Sequence, residues 1–140
     1  MFSASDTALI AIDMQGDFCE SDGYIGRLGL SVANTRAPIP ALQLVFAALR
    51  ARGIAIVHTR EGHRPSMGDC PELKLWRSNN KDGKPLLGAA DATCCSRSLV
   101  RGDTKWDLID ELKPLASEDV VDGCGTVSYT HLTLPTILLV

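Results

Sequence analysis

Apolar positions fall into a few short runs separated by long polar stretches. Residues 7–12 (Thr-Ala-Leu-Ile-Ala-Ile) are one such run, and it stops at Asp13. A run apolar on both faces suits a parallel strand covered by helices on each side. Residues 16–29 are rich in glycine and acids and predict a loop. Ile39, Leu42, Val45, Phe46 and Leu49 then recur at helical spacing. They predict a helix over 38–52, with Pro38 or Pro40 in its first turn and Gly53 at its end. Residues 54–57 (Ile-Ala-Ile-Val) read as a second buried strand, which completes a strand–helix–strand unit.

Residues 60–100 show no sustained period and predict a long loop, which in a compact domain is usually functional. Trp106, Ile109 and Leu112 predict a short amphipathic helix over 106–112, and residues 119–122 a third strand. The pattern as a whole predicts an α/β domain with a Rossmann-like parallel sheet. No phosphate-cradle or dinucleotide glycine spacing occurs.

The chain has 140 residues, 45% of them hydrophobic and 22% charged, which fits one globular domain and argues against intrinsic disorder. A net charge of −3 lends no support to binding nucleic acid or an anionic membrane. No apolar run reaches the roughly 18–20 residues of a membrane span. The N-terminus lacks a basic flank and apolar stretch, and the five cysteines (Cys19, Cys70, Cys94, Cys95, Cys124) form no Cys-x-x-Cys pair. Free thiols in the cytoplasm are the expectation.

Asp13 is the sharpest chemical feature. It directly follows the first strand, at the carboxyl end where open α/β sheets carry their ligand crevice. Burial there raises a carboxyl pKa unless a cation holds it ionised, and either state is useful in proton transfer. An Asp that merely caps a turn is the plain alternative. The Asp-x-Asp of phosphotransferases is not met, since Gln15 stands at the third position.

Ile12-Asp13-Met14-Gln15-Gly16-Asp17-Phe18-Cys19 resembles the opening motif of the isochorismatase-like cysteine hydrolases. A second block is similar to the biuret-hydrolase branch of that superfamily: His58-Thr59-Arg60-Glu61-Gly62-His63-Arg64-Pro65, then Lys74 and Trp76-Arg77-Ser78. Gly23-Tyr24, Ala37-Pro38-Ile39 and Leu99-Val100-Arg101-Gly102 extend the likeness over roughly residues 6–122. The resemblance implies a three-layer Rossmann-like fold and a Cys–Asp–Lys triad, of which Asp13 matches the carboxylate. It also implies that Phe18 lines a small substrate pocket, that no cofactor is needed, and that the full-length protein is a homo-oligomer. The substrate it implies is a small amide or ureido compound, biuret first, with no nucleic-acid or membrane partner. Ureidoacrylate, an N-carbamoyl compound, nicotinamide or isochorismate are alternatives, and a non-catalytic relative is another.

The rest of the triad departs from the family pattern. Gly123 stands where the family has its lysine, and Lys105 and Lys113 come too early. The family's Thr-x-x-Cys nucleophile segment does not occur. Cys124 neighbours the expected lysine position and is not assigned the role, and Cys19 is expected to pack behind its loop. Glu61-x-His63 is similar to the metal-ligand pair of nicotinamidases, but no histidine follows between Arg64 and Cys70, so no metal is expected. His58 reads as a strand-end histidine bonded to backbone, and His63 and Arg64 as a pocket rim or subunit contact. Residues 127–136 (Val-Ser-Tyr-Thr-His-Leu-Thr-Leu-Pro-Thr) match a translated sequencing adapter. The domain expectation is therefore a partial hydrolase domain over 1–126 with a non-native tail over 127–140. Such a fragment would be inactive and of low stability.

Overall fold

The computed structural model describes residues 3–79, 83, 86–90 and 96–123. The expected tail, together with Cys94, Cys95 and Cys124, lies outside the described residues. Strand β1 (Ala8–Ala11) is followed by three one-turn helices, α1 (Gly16–Cys19), α2 (Tyr24–Arg27) and α3 (Ala33–Arg36). Then come the long helix α4 (Ile39–Arg50), β2 (Ala55–Glu61), α5 (Glu72–Arg77) and β3 (Asp119–Gly123). β2 lies between the other two strands, and both pairings are parallel. Ala8–Ala11 face Ala55–His58, and Val57–Glu61 face Asp119–Gly123. The expected parallel α/β fold is present.

Helix α4 forms because its apolar residues share one face and its prolines sit where a missing N–H costs nothing. Pro38 caps it, and Gly53 adopts a φ of +64° in the turn that leads into β2. Its buried face, through Ile39 and Phe46, packs on Ala11 and Ile56 of the sheet and on Ile109 and Leu112. Phe46 is 1% exposed and meets the His58 ring edge-on, 5.4 Å between centroids. Burying a side chain of that size contributes about 2 kcal/mol.

Three expectations need correction. The glycine- and acid-rich stretch after Asp13 holds two single helical turns rather than loop alone. β2 does not stop at Val57: it continues through His58, Thr59, Arg60 and Glu61, because each of these polar side chains finds a partner inside the fold. His58 Nε2 lies 3.1 Å from Glu118 Oε2, so this histidine sits within the strand and meets a carboxylate, not backbone. Arg60 pairs with Asp122 at 2.8 Å and with Asp107 at 2.9 Å while stacking 3.9 Å above the Trp106 ring. Finally, residues 106–112 are not an α-helix. Two 3-10 turns, Thr104–Trp106 and Asp110–Leu112, flank an extended piece whose backbone bonds elsewhere. Gly16 N donates to Asp107 O at 3.0 Å and Ile109 N to Met14 O at 2.9 Å. Trp106, Ile109 and Leu112 are nonetheless buried, as their spacing suggested.

Glu118, just before β3, clamps three elements. It takes two hydrogen bonds from Arg50 of α4, at 2.7 and 2.9 Å, one from the Leu115 backbone at 3.0 Å, and contacts His58 of β2. Those Arg50 bonds first, and then the Leu115 and His58 contacts, hold its carboxyl down at about 2, from an ordinary 4.5. The fold thus favours the ionised form. Its contribution is complete above pH 4.5 and is lost as the pH falls toward 2. Glu118→Gln should lower stability by about 2 kcal/mol at neutral pH, with the deficit shrinking in acid. Urea unfolding of both chains at pH 7 and near pH 3 measures this, and an equal deficit at both pH values would refute the clamp.

Candidate functional site

Chain geometry at the carboxyl end of β1 determines the site. Asp13 adopts a φ of +51°, a left-handed conformation uncommon for a residue with a side chain but tolerated best by Asp and Asn. Its backbone N–H donates to Thr59 O at 3.2 Å and to Thr59 Oγ1 at 3.1 Å, and Thr59 Oγ1 donates back to Asp13 Oδ1 at 2.6 Å. Asp13 Oδ2 has no partner among the described residues. Partial burial pushes the Asp13 carboxyl above its ordinary value. The Thr59 hydrogen bond opposes this, Glu61 adds to it, and Lys74 draws it back.

Asp13 and Phe18 line one cavity of about 430 Å³, with Ile12, Met14, Cys19, Ile25, Thr35, Pro38 and Glu61. The two residues singled out from the sequence therefore share a wall. Cys19 is 1% exposed and burial pushes its thiol up, away from the reactive thiolate. A second cavity, about 410 Å³, lies against Arg60, Lys105 and Trp106. Its cations are already engaged: Lys105 reaches Glu20 at 2.5 Å and Asp22 at 2.8 Å, and Arg60 is paired as above.

Reading the sequence alone missed the polar network behind this wall. Lys74, from α5, forms an ion pair with Glu61 Oε1 and lies 3.0 Å from His63 Nε2. His63 is fully buried, its backbone bonded to Leu99 O and to the Arg101 N–H. It is therefore neither rim nor contact surface, whereas Arg64 is exposed. Burial first, and then the Lys74 charge, pull the His63 pKa down. An ammonium only donates, so Nε2 is the acceptor in that contact, which assigns the ring proton to Nδ1, 3.5 Å from Asp69 Oδ1. The ammonium thus occupies the point on which Glu61 and His63 converge. Among the described residues no group of three or more His, Cys, Asp or Glu side chains is arranged to hold a metal. A lysine inside the unpatterned stretch 60–100 gave no signal beyond its place in the quoted block.

Two further buried residues hold the loop after β1. Gln15 bonds both backbone groups of Glu61, at 2.7 and 3.0 Å, and the Trp106 carbonyl at 2.5 Å. Asp17 accepts from the Tyr24 and Leu99 backbones at 3.1 and 2.8 Å, and burial pushes its carboxyl up to about 6. Gly23 packs against the Gly16 carbonyl and Asp17 so closely that no Cβ fits there.

Comparison with known proteins adds the following. Residues 7–132 match the model of the isochorismatase domain. The ureidoacrylate amidohydrolase RutB of Pantoea ananatis strain LMG 20103 is 29% identical over 148 residues, covering 98% of this chain and 54% of that protein. The corresponding protein of Serratia proteamaculans strain 568 is 28% identical, over 98% of this chain and 55% of its own length. The chain thus spans about half the length of the curated relatives it matches. The crystal structure of a cysteine hydrolase from Pseudomonas syringae pv. phaseolicola 1448A superposes with a TM-score of 0.70 at 24% identity, covering 98% of this chain and 55% of that one.

The raised Asp13 pKa has a consequence for stability. Its folded value lies above the unfolded 3.8, so the ionised carboxylate is disfavoured by the fold at neutral pH. Asparagine tolerates the same backbone and carries no charge. Asp13→Asn should therefore melt at a higher temperature than the wild type at pH 7, and the difference should vanish as the pH falls below 3.8. Thermal unfolding across that range decides it, and a variant less stable at pH 7 would refute the desolvation argument.

Proposed function

We propose, for a chain that belongs to the isochorismatase family, that the whole protein is a cysteine amidohydrolase of a small amide or ureido compound. The observation that supports this most is the placement of Asp13. It lies two residues past the carboxyl end of β1, is held through one oxygen by Thr59, and turns a half-buried carboxyl to a small cavity beside Phe18. A carboxylate so held takes the proton of an attacking thiol and gives it to the departing ammonia as the C–N bond breaks. It then takes a proton from the water that frees the acyl group and returns it to the thiolate. Phe18 forms a flat apolar wall for a planar ureide. Neither described cysteine is proposed as the nucleophile, since burial raises the thiol pKa of both Cys19 and Cys70.

Biuret is the first substrate, on the strength of the Arg60–Pro65 block; ureidoacrylate is the second, because the curated relatives carry that activity in their names. A homo-oligomer acting in the cytoplasm, without nucleic-acid or membrane partners, belongs to the same reading. Among the described residues no helix is long and apolar enough to cross a membrane. The 140-residue chain by itself is proposed to be inactive.

The test is ammonia release from biuret and from ureidoacrylate, with a protein extended to the length of its relatives. Asp13→Asn should lower kcat by about 10²–10⁴-fold with the fold intact. Wild-type turnover in that variant would end the reading.

A further inference from the structure

The ionisable lining of the Asp13 cavity is one-sided. Asp13 and Glu61 are both acids, and among the described residues no Lys, Arg or His lines it. Glu61 is also the most firmly fixed residue of that wall. Its backbone N–H and carbonyl are both taken by the Gln15 side chain, and its Oε1 by Lys74. Lys74 is anchored in turn by His63 Nε2, on a ring with no exposure to solvent. The ammonium therefore faces Glu61 and His63 and does not line the cavity. Glu61 Oε2 and Asp13 Oδ2, each without a partner among the described residues, remain as acceptors. The rest of the wall (Ile12, Met14, Phe18, Ile25, Pro38) is apolar apart from Thr35 and the Cys19 thiol.

We propose that Glu61, positioned by Lys74, is a specificity-determining residue that makes this cavity take neutral, N–H-rich ureides and turn away carboxylate-bearing ones. The proposal rests on the reading above that the cavity receives an amide or ureido compound. A neutral ureide brings donors only on its nitrogens, and N–H groups directed at a carboxylate form the stronger, charge-assisted class of hydrogen bond. A ligand carboxylate placed in the same cavity meets two acids. Like-charge contacts of that kind cost several kcal/mol and discriminate by repulsion rather than by added attraction. The cavity volume of about 430 Å³ suits a molecule of this size. Among amide compounds the site would thus prefer biuret to an acid such as ureidoacrylate, and the preference would reside in one side chain.

Equilibrium binding to the 140-residue chain tests this, with biuret and N-carbamoylglycine as probes followed by amide shifts of Asp13, Thr59 and Glu61 in NMR titrations. Biuret should bind at least about tenfold tighter than N-carbamoylglycine. Glu61→Gln, which keeps the shape and removes the charge, should bring the two affinities within about threefold. Lys74→Met removes the ammonium that positions Glu61 and should narrow the gap. An unchanged ratio in Glu61→Gln overturns the proposal, as does equal binding of the probes or binding of neither. Tighter binding of N-carbamoylglycine that disappears in Lys74→Met overturns it in favour of Lys74 as a carboxylate reader. An intact ratio alongside a protein of full relative length that releases no ammonia would instead overturn the hydrolase reading and leave this one standing.

Discussion

The site depends on one buried side chain, the amide of Gln15. Fully enclosed, it uses its oxygen and nitrogen to bind both peptide groups of Glu61, and it spends the remaining nitrogen hydrogen on the Trp106 carbonyl. A primary amide buried without partners costs several kcal/mol. Here it is satisfied by groups from two other segments, so none of the three can shift without leaving a polar group unpaired. The loop after β1, the end of β2 and the turn at Trp106 are thereby locked into one unit. Asp13 and Phe18 ride on the first of these, and Glu61 ends the second. Their shared cavity follows from that lock more than from the strands themselves.

The parts of the fold that could be read in advance are those in which local pattern and tertiary environment agree. The run at residues 7–12 becomes β1, which reaches the core through Ala11 and Leu9, and Ile39, Phe46 and Leu49 repeat because one side of α4 meets the sheet. The second half of β2 was illegible for the opposite reason. His58, Thr59, Arg60 and Glu61 look like a loop by composition, yet their partners (Glu118, Asp13, Asp122 and Lys74) lie 13 to 62 residues away. Residues 106–112 misled in another way. Helical spacing identified the buried side chains, but the backbone hydrogen bonds go to the loop after β1, and a periodicity argument is blind to them. Of the site, Asp13 and Phe18 were legible through motif and position. The Glu61–Lys74–His63 chain was not, because nothing local requires a lysine to fold back on a strand end.

Asp13 itself combines several costs at one residue. It sits in a left-handed conformation, and its carboxyl is partly desolvated with Glu61 nearby. Strain and desolvation of this kind persist only where the surroundings over-determine them. Two hydrogen bonds on its backbone N–H and one on Oδ1, all involving Thr59, do that here. The same residue whose removal should stabilise the chain is the one proposed to move protons, the usual relation between an active centre and the stability of its scaffold.

Two acids on one small cavity would ordinarily push one another toward the neutral state. The structure separates their circumstances. Glu61 has an ammonium on one oxygen, whereas Asp13 has only a hydroxyl. Of the two, Asp13 is the carboxyl that burial, with no cation in direct contact, pushes above its ordinary value. Lys74 therefore acts on the chemistry at a distance: its ion pair fixes Glu61, the neighbour that adds to the rise of the Asp13 pKa, and its own charge limits how far that rise goes.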